Sequence, residues 1–209
     1  MVSEQKKTDM MDMYIIVLAG MPASGKSTTA AAIANEFHLP IIAKDKLKES
    51  LFDVLGFENY AQKRKLDHAA NAALLTVTEN MIESGTPVIL DNNFDKISAE
   101  ALDALCRRSG CRCITVMFGG DTDAFYERYV ERDRLHKRHL GHILQERYPP
   151  LPGDALDYEM TREEFDEKFV KRGMTDFHCA GERIDVDATD PETIDKQALI
   201  EQLRTMIYA

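Results

Sequence analysis

Nowhere does this 209-residue chain carry the roughly 18–20 consecutive apolar residues that a membrane-spanning helix needs. Its polar start, Met1-Val2-Ser3-Glu4-Gln5-Lys6-Lys7-Thr8-Asp9, lacks the apolar stretch of a signal peptide. Residues 1–13 are expected to be a short disordered tail, with Met10, Met11 or Met13 as alternative starts. Positive charge is also scarce: 26 Lys and Arg stand against 36 Asp and Glu, a formal charge of −10. That deficit argues against nucleic-acid binding across the whole surface, though it leaves room for a local basic site. Cysteine is sparse and unpatterned. Cys106, Cys111, Cys113 and Cys179 form no C-x-x-C pair and keep no zinc-like spacing to histidine. They read as reduced thiols of a cytoplasmic protein. Internal repeats and low-complexity tracts are missing too, so 14–209 is expected to be one domain.

What is present is one sharp motif. Gly20-Met21-Pro22-Ala23-Ser24-Gly25-Lys26-Ser27 fits G-x-x-x-x-G-K-[ST], preceded by the apolar run Tyr14–Ala19 and followed by the helical pattern Thr28–Phe37. Strand, turn and helix in that order make a phosphate-binding loop. Its backbone, from Gly20 through Pro22, Ala23, Ser24 and Gly25 to Thr28, surrounds an anion, with the non-proline amides as the donors. Lys26 reaches the outer phosphates of a nucleoside triphosphate such as ATP, and the Ser27 hydroxyl ligates Mg²⁺.

Further along, short apolar runs alternate with helical patterns: strands at 41–43, 88–90, 113–118 and 183–187, and helices at about 46–54, 61–83, 98–108, 122–139, 161–172 and from 191 onward. Ser98 is the expected cap of one helix, and Pro191 the expected opening of the last. The alternation predicts an α/β fold: a five-stranded parallel sheet with helices on both faces, a three-layer sandwich. In such a sheet a ligand lies outside the carboxyl ends of the strands. That rule brings together Lys26 and Ser27, Asp45 after the second strand, Asp91 after the third, and the turn Asp187–Asp190.

Asp45 reads either as a general base that accepts the proton of an acceptor hydroxyl, or as the N-cap of the helix at Lys46. Asp91 reads as a ligand of Mg²⁺, as a substrate contact, or as a cap of the next turn. Asn92 and Asn93 suit a substrate or a turn. Between Arg128 and Arg147, six basic side chains meet three acidic ones, against the acidity of the whole. Arg128 and Arg132 share one helix face, and Arg134 and Arg138 another. One face could close on a triphosphate; the other could be solvated, with ion pairs such as Asp133–Lys137. The histidines at 136, 139 and 142 read as exposed helix residues rather than ligands.

With these residues in place, the chain resembles the small P-loop kinases, in particular the AAA-type kinases related to polynucleotide kinase and zeta toxin. The resemblance implies the P-loop NTPase fold with strand order 2-3-1-4-5. It makes Asp45 the catalytic base and puts Lys48 where the family carries a substrate-binding arginine. It matches Asp91 and Asn93 to the polar residues after the third strand. It implies an arginine-bearing lid over about 122–147, with Arg132, Arg134 and Arg138 as its active arginines, and a variable substrate-side insertion over about 148–178. It places Thr189 to Pro191 beside adenine. The implied activity is ATP-dependent, Mg²⁺-assisted phosphoryl transfer to a hydroxyl of a small molecule. Two other readings stand beside it: a regulatory ATPase without an acceptor, and a 5′-hydroxyl nucleic-acid kinase. No N-K-x-D, T-K-x-D or D-x-x-G segment supports a guanine-nucleotide switch.

Overall fold

The structure, a computed structural model, describes residues 13–156 and 158–208. Strands β1 (Tyr14–Gly20), β2 (Ile41–Ala43), β3 (Val88–Asp91), β4 (Arg112–Gly119) and β5 (Glu182–Asp187) form one parallel sheet in the order β2-β3-β1-β4-β5. The expected order and three-layer architecture are therefore found. β1 lies in the middle, and all seven of its residues are buried. Its unbroken apolar run follows from having both faces covered. Successive side chains alternate between two cores. Ile16 and Leu18 join Ile33 of α1 (Lys26–Phe37), Phe125 of α5 (Thr122–Arg134) and Leu203 of α8 (Lys196–Tyr208). Ile15 and Val17 join Leu74 of α3 (Tyr60–Glu83) and Leu102 of α4 (Lys96–Ser109).

A third, smaller core lies off the sheet. Phe52 of α2 (Lys44–Leu55) and Phe57 pack with Leu144, just past the short α6 (Leu140–Ile143), and with Tyr148. It ties the segment after α5 to the α2–α3 pair. A further short helix, α7 (Arg162–Phe165), starts with a capping box at Thr161 and Glu164. It then widens into a π-helical turn at Asp166–Val170.

Several local expectations are corrected. Residues 1–12 of the expected tail lie outside the described residues, but Met13 is buried, and its carbonyl accepts a hydrogen bond from the Arg112 amide at 2.7 Å. Asp95, not Ser98, caps α4: its carboxylate accepts both the Ser98 amide at 3.0 Å and the Ser98 hydroxyl at 2.7 Å. The charged helix after β4 stops at Arg134 instead of reaching His139, and His136 takes φ +49. Pro191 opens a separate 3-10 turn, Pro191–Thr193, and α8 begins only at Lys196 because Ile194 is extended.

β4 is approached so closely by its neighbours on both sides that only glycine fits at two points. A Cβ on Gly20 (φ +129) would lie 2.3 Å from the Phe118 carbonyl oxygen, and one on Gly181 (φ +131) 2.3 Å from that of Cys113. Gly181 is remote from the phosphate loop, so Gly181→Ala isolates this constraint. It is expected to cost about 2–4 kcal/mol through strained φ and backbone overlap. A urea midpoint equal to that of the parent protein would contradict the close approach.

Candidate active site

The turn between β1 and α1 leaves helix amides facing outward without a side-chain cap. Gly25 occupies the N-cap position with φ 84, and no side chain accepts from the first turn. An anion is the natural occupant of such a terminus. Lys26 is buried, and its ammonium donates to the carbonyls of Gly20 at 3.0 Å and Met21 at 2.5 Å and to the Ser24 hydroxyl at 3.3 Å. Burial pushes its pKa down to about 8, and Arg132 pushes the same way, against the pull of Asp91 and Asp45. Pro22 and Ser24 are buried in the loop, Ala23 takes φ 62, and the side chains of Ser27 and Thr28 are open to solvent.

Asp91 ends β3, close enough to the Ser27 hydroxyl for that group to lower its pKa. Burial raises the Asp91 pKa, with Asp45 adding, while Ser27 and Lys26 lower it. A carboxylate and a hydroxyl, both oxygen donors beside a phosphate loop, fit a hard divalent cation such as Mg²⁺. Among the described residues no group of three or more His, Cys, Asp or Glu could hold a metal by itself. Phosphate and water oxygens would have to complete the shell.

Past Asp91 the sheet edge opens into a cleft of about 1160 Å³, lined in part by Asp45, Lys48, Asn93 and Arg138. Asp45 does not cap its helix. α2 begins at Lys44, and Ala43 holds the cap position without a side-chain bond, which leaves Asp45 in the first turn with its carboxylate free. Although accessible to solvent, it sits deep among charged groups. Burial alone would raise its pKa, but His142, Lys48, Arg138 and Lys44 outweigh burial and hold it below the usual carboxylate range. The His142 contribution requires a protonated ring, and burial lowers that ring's own pKa. Near pH 7, Lys48, Arg138 and Lys44 are therefore what keep Asp45 ionised. Lys48 shares Asp67 with Lys44, each at 2.9 Å, and lies over the Phe52 ring.

The arginines divide. Arg132 is half-buried, its Nε is buried without a hydrogen-bond partner among the described residues, and its guanidinium lies 5.6 Å from the Tyr129 ring centroid. Burial lowers its pKa, and Arg138 adds to that. Arg138 makes a two-pronged bond to Asp133 at 3.0 and 3.2 Å, so Asp133 serves Arg138 instead of the expected Lys137. Arg134 is not brought to the cleft: it is exposed and pairs with Glu159 at 3.2 Å and Glu131 at 3.6 Å. Early termination of α5 accounts for the split, since Arg138 lies beyond the helix and swings inward.

Arg128 has a role that face-counting could not assign. Its guanidinium donates to three carbonyls: Ala23 of the phosphate loop at 3.0 Å, Ala188 at 3.0 Å and Thr189 at 2.6 Å. It thus latches the loop after β5 to the phosphate loop. The Thr189 hydroxyl accepts from the Asp121 amide at 3.0 Å, and Pro191 abuts Gly25. The histidines also differ from expectation. His142 is buried, with its ring 3.2 Å from Glu49, and His139 bonds Asp53 at 2.9 Å. Also missed were Lys63 and Lys168, which reach the cleft from α3 and from the π-helical turn. A lysine at a helix position otherwise suited to burial was the only available signal.

Comparison with known proteins fits this geometry. A family model described as an AAA domain matches residues 15–150, and the chain belongs to that family. Its fold is that of the small P-loop kinases. A candidate kinase from Chloroflexus aurantiacus J-10-fl superposes with a TM-score of 0.76 at 25% identity, over 93% of this chain and 98% of that one. A gluconokinase from Sinorhizobium meliloti 1021 gives 0.53 at 17%, over 93% and 95%. A shikimate kinase from Bacteroides thetaiotaomicron gives 0.51 at 18%, over 94% and 99%. No curated protein matches the sequence.

The Arg128 latch can be tested without any ligand. Arg128→Met removes three charge-assisted bonds and is expected to cost about 2 kcal/mol. Amide exchange at 187–193 should speed up selectively, and Arg128→Lys should not restore it, because one ammonium lacks the three-way fork. Uniform protection across that loop in Arg128→Met would remove the latch.

Proposed function

We propose that the protein is an ATP-dependent kinase that transfers the γ-phosphoryl group to a hydroxyl of a small-molecule acceptor. The observation that carries this reading is the position of Asp45. Its charge acts on Lys26 and Arg132 on the loop side and on His142 and Arg138 on the cleft side. One ionised carboxylate is thus shared by a phosphate-binding half and a large cleft.

In the reaction, the loop amides and Lys26 hold the β- and γ-phosphates, and Ser27 and Asp91 are the residues that would hold Mg²⁺. When bound, that ion neutralises phosphate charge. Asp45 orients the acceptor hydroxyl and takes its proton as the new O–P bond forms. The bond between the γ-phosphorus and the bridging oxygen breaks, and ADP leaves. Arg132, whose Nε is unpartnered, supplies positive charge on the donor side. Arg138 does so from the cleft. Adenine would lie beside the loop latched by Arg128. A regulatory ATPase has no use for so large a cleft next to the base, and the protein's acidity disfavours a nucleic-acid acceptor.

Asp45→Asn should lower turnover by about 10²–10⁴-fold, the usual contribution of a positioned base, with nucleotide affinity nearly unchanged. Steady-state phosphoryl transfer together with calorimetric binding of ADP decides this; undiminished turnover would remove Asp45 from the base role. A second test uses Lys26, with its pKa of about 8 in the ligand-free protein. At pH 8 about half of these side chains are neutral, and a bound triphosphate would draw a proton onto them. Calorimetry in buffers of different ionisation enthalpy should record an uptake of about half a proton at pH 8 that vanishes by about pH 6.5. Binding with no uptake at pH 8 would mean that Lys26 does not meet the phosphates.

A further inference from the structure

The cleft next to Asp45 gathers basic side chains from separate parts of the chain. Lys48 comes from α2, Lys63 from α3, Arg138 from beyond α5, and Lys168 from the π-helical turn. Converging like charges oppose folding, and local sequence does not require it. The available carboxylates fall short. Asp67 is divided between Lys44 and Lys48, Asp133 is taken by Arg138 and Asp95 by Arg172, and Asp45, which Lys48 and Arg138 hold ionised, is the group the acceptor hydroxyl has to meet. Among the described residues Lys63 donates only to oxygen atoms of neutral groups: the carbonyls of His142 at 3.0 Å and Leu144 at 2.5 Å, and the Gln145 side chain at 3.4 Å.

Lys168 has still less. Its ammonium lies 5.5 Å from the Phe169 ring centroid and pairs with no carboxylate among the described residues. The acidic side chains on the cleft wall nearest in sequence, Glu163, Glu164 and Glu167, are exposed. Glu164 closes the capping box and Glu167 pairs with Lys171. Burial and the proximity of Lys48 and Arg138 push the Lys168 pKa down to about 8, only partly offset by Asp67 and Asp133. Burial, then Lys168, Lys48 and Arg138, push Lys63 down to about 6. π-Helical turns, moreover, are frequent at functional sites, and this one presents Lys168 to the cleft.

We infer that the acceptor carries an anionic group, a carboxylate or a phosphate, and that Lys168, with Lys48 and Arg138, binds it in this cleft. Calling that ligand the acceptor rests on the kinase reading; the anion site itself does not. An anion there supplies the missing counter-charge while a hydroxyl elsewhere on the same molecule faces Asp45. A neutral polyol would leave the repulsion among the cations unrelieved.

Three six-carbon probes of matched shape test this: sorbitol, D-gluconate and sorbitol 6-phosphate, titrated calorimetrically at constant ionic strength. The anionic probes are expected to bind at least about tenfold more tightly than sorbitol, and whichever of the two binds better names the group. Lys168→Gln should weaken that binding at least about tenfold, and Lys168→Arg should largely retain it. Three results would overturn the inference: sorbitol binding as well as the anions, no binding of either anion, or anion binding that Lys168→Gln spares and Lys26→Met abolishes. The last would mean that the probe reads the phosphate loop. ADP titrations on the same samples separate the two levels. Failure to bind nucleotide, with anion discrimination intact, would sink the kinase reading alone. Nucleotide binding without discrimination would sink the anion site alone.

Discussion

Much of this structure depends on holding positive charge out of water without enough negative charge to match it. Lys26 is buried against carbonyl oxygens, Lys63 likewise with its pKa lowered to about 6, and Arg132 keeps a buried Nε with no acceptor among the described residues. Each of these is unfavourable, because desolvating a cation costs free energy that neutral carbonyls only partly return. The rest of the fold is arranged to tolerate it. A fully buried β1, two apolar cores on either side of the sheet and the aromatic cluster around Phe52 supply the stability that the cleft lacks. Local instability of this kind is usual where a charged ligand is to be received.

The sheet was legible from sequence for a simple reason. Strands buried on both faces must be apolar throughout, and Tyr14–Ala19, Val88–Leu90 and Cys113–Phe118 stand out against charged helices. The phosphate loop was legible because its backbone shape depends on residue type at fixed spacing: Gly25 at φ 84 and Lys26 next to it. Asp45 and Asp91 followed from the rule that strand ends face the ligand. In each case a short stretch of chain determines its own conformation.

What could not be read depends on contacts between distant segments. Helix periodicity runs on past Arg134, yet the chain turns there, and that turn separates Arg138 from Arg134 and removes the Asp133–Lys137 pair. Ser98 and Asp95 are both good caps, and only the structure places Asp95 at the helix start, where it also meets Arg172. His142 looked like a surface residue because its partner, Glu49, lies 93 positions away. The cleft lysines are the clearest case. Lys63 and Lys168 are ordinary in their own helices and gain meaning only from facing each other.

The end of α5 at Arg134 has a mechanical consequence. Arg132 belongs to a helix fastened through Arg128 to the phosphate loop and the turn after β5. Arg138 belongs to the stretch anchored by Leu144 and Tyr148 to the α2–α3 pair. Yet Arg138, beyond the left-handed residue His136, is bound back to α5: it pairs with Asp133 and lies 4.9 Å from the centroid of the Tyr129 ring that Arg132 also covers. A pull on the aromatic cluster around Phe52 therefore reaches α5 through Asp133 and Tyr129, on the helix that carries Arg132.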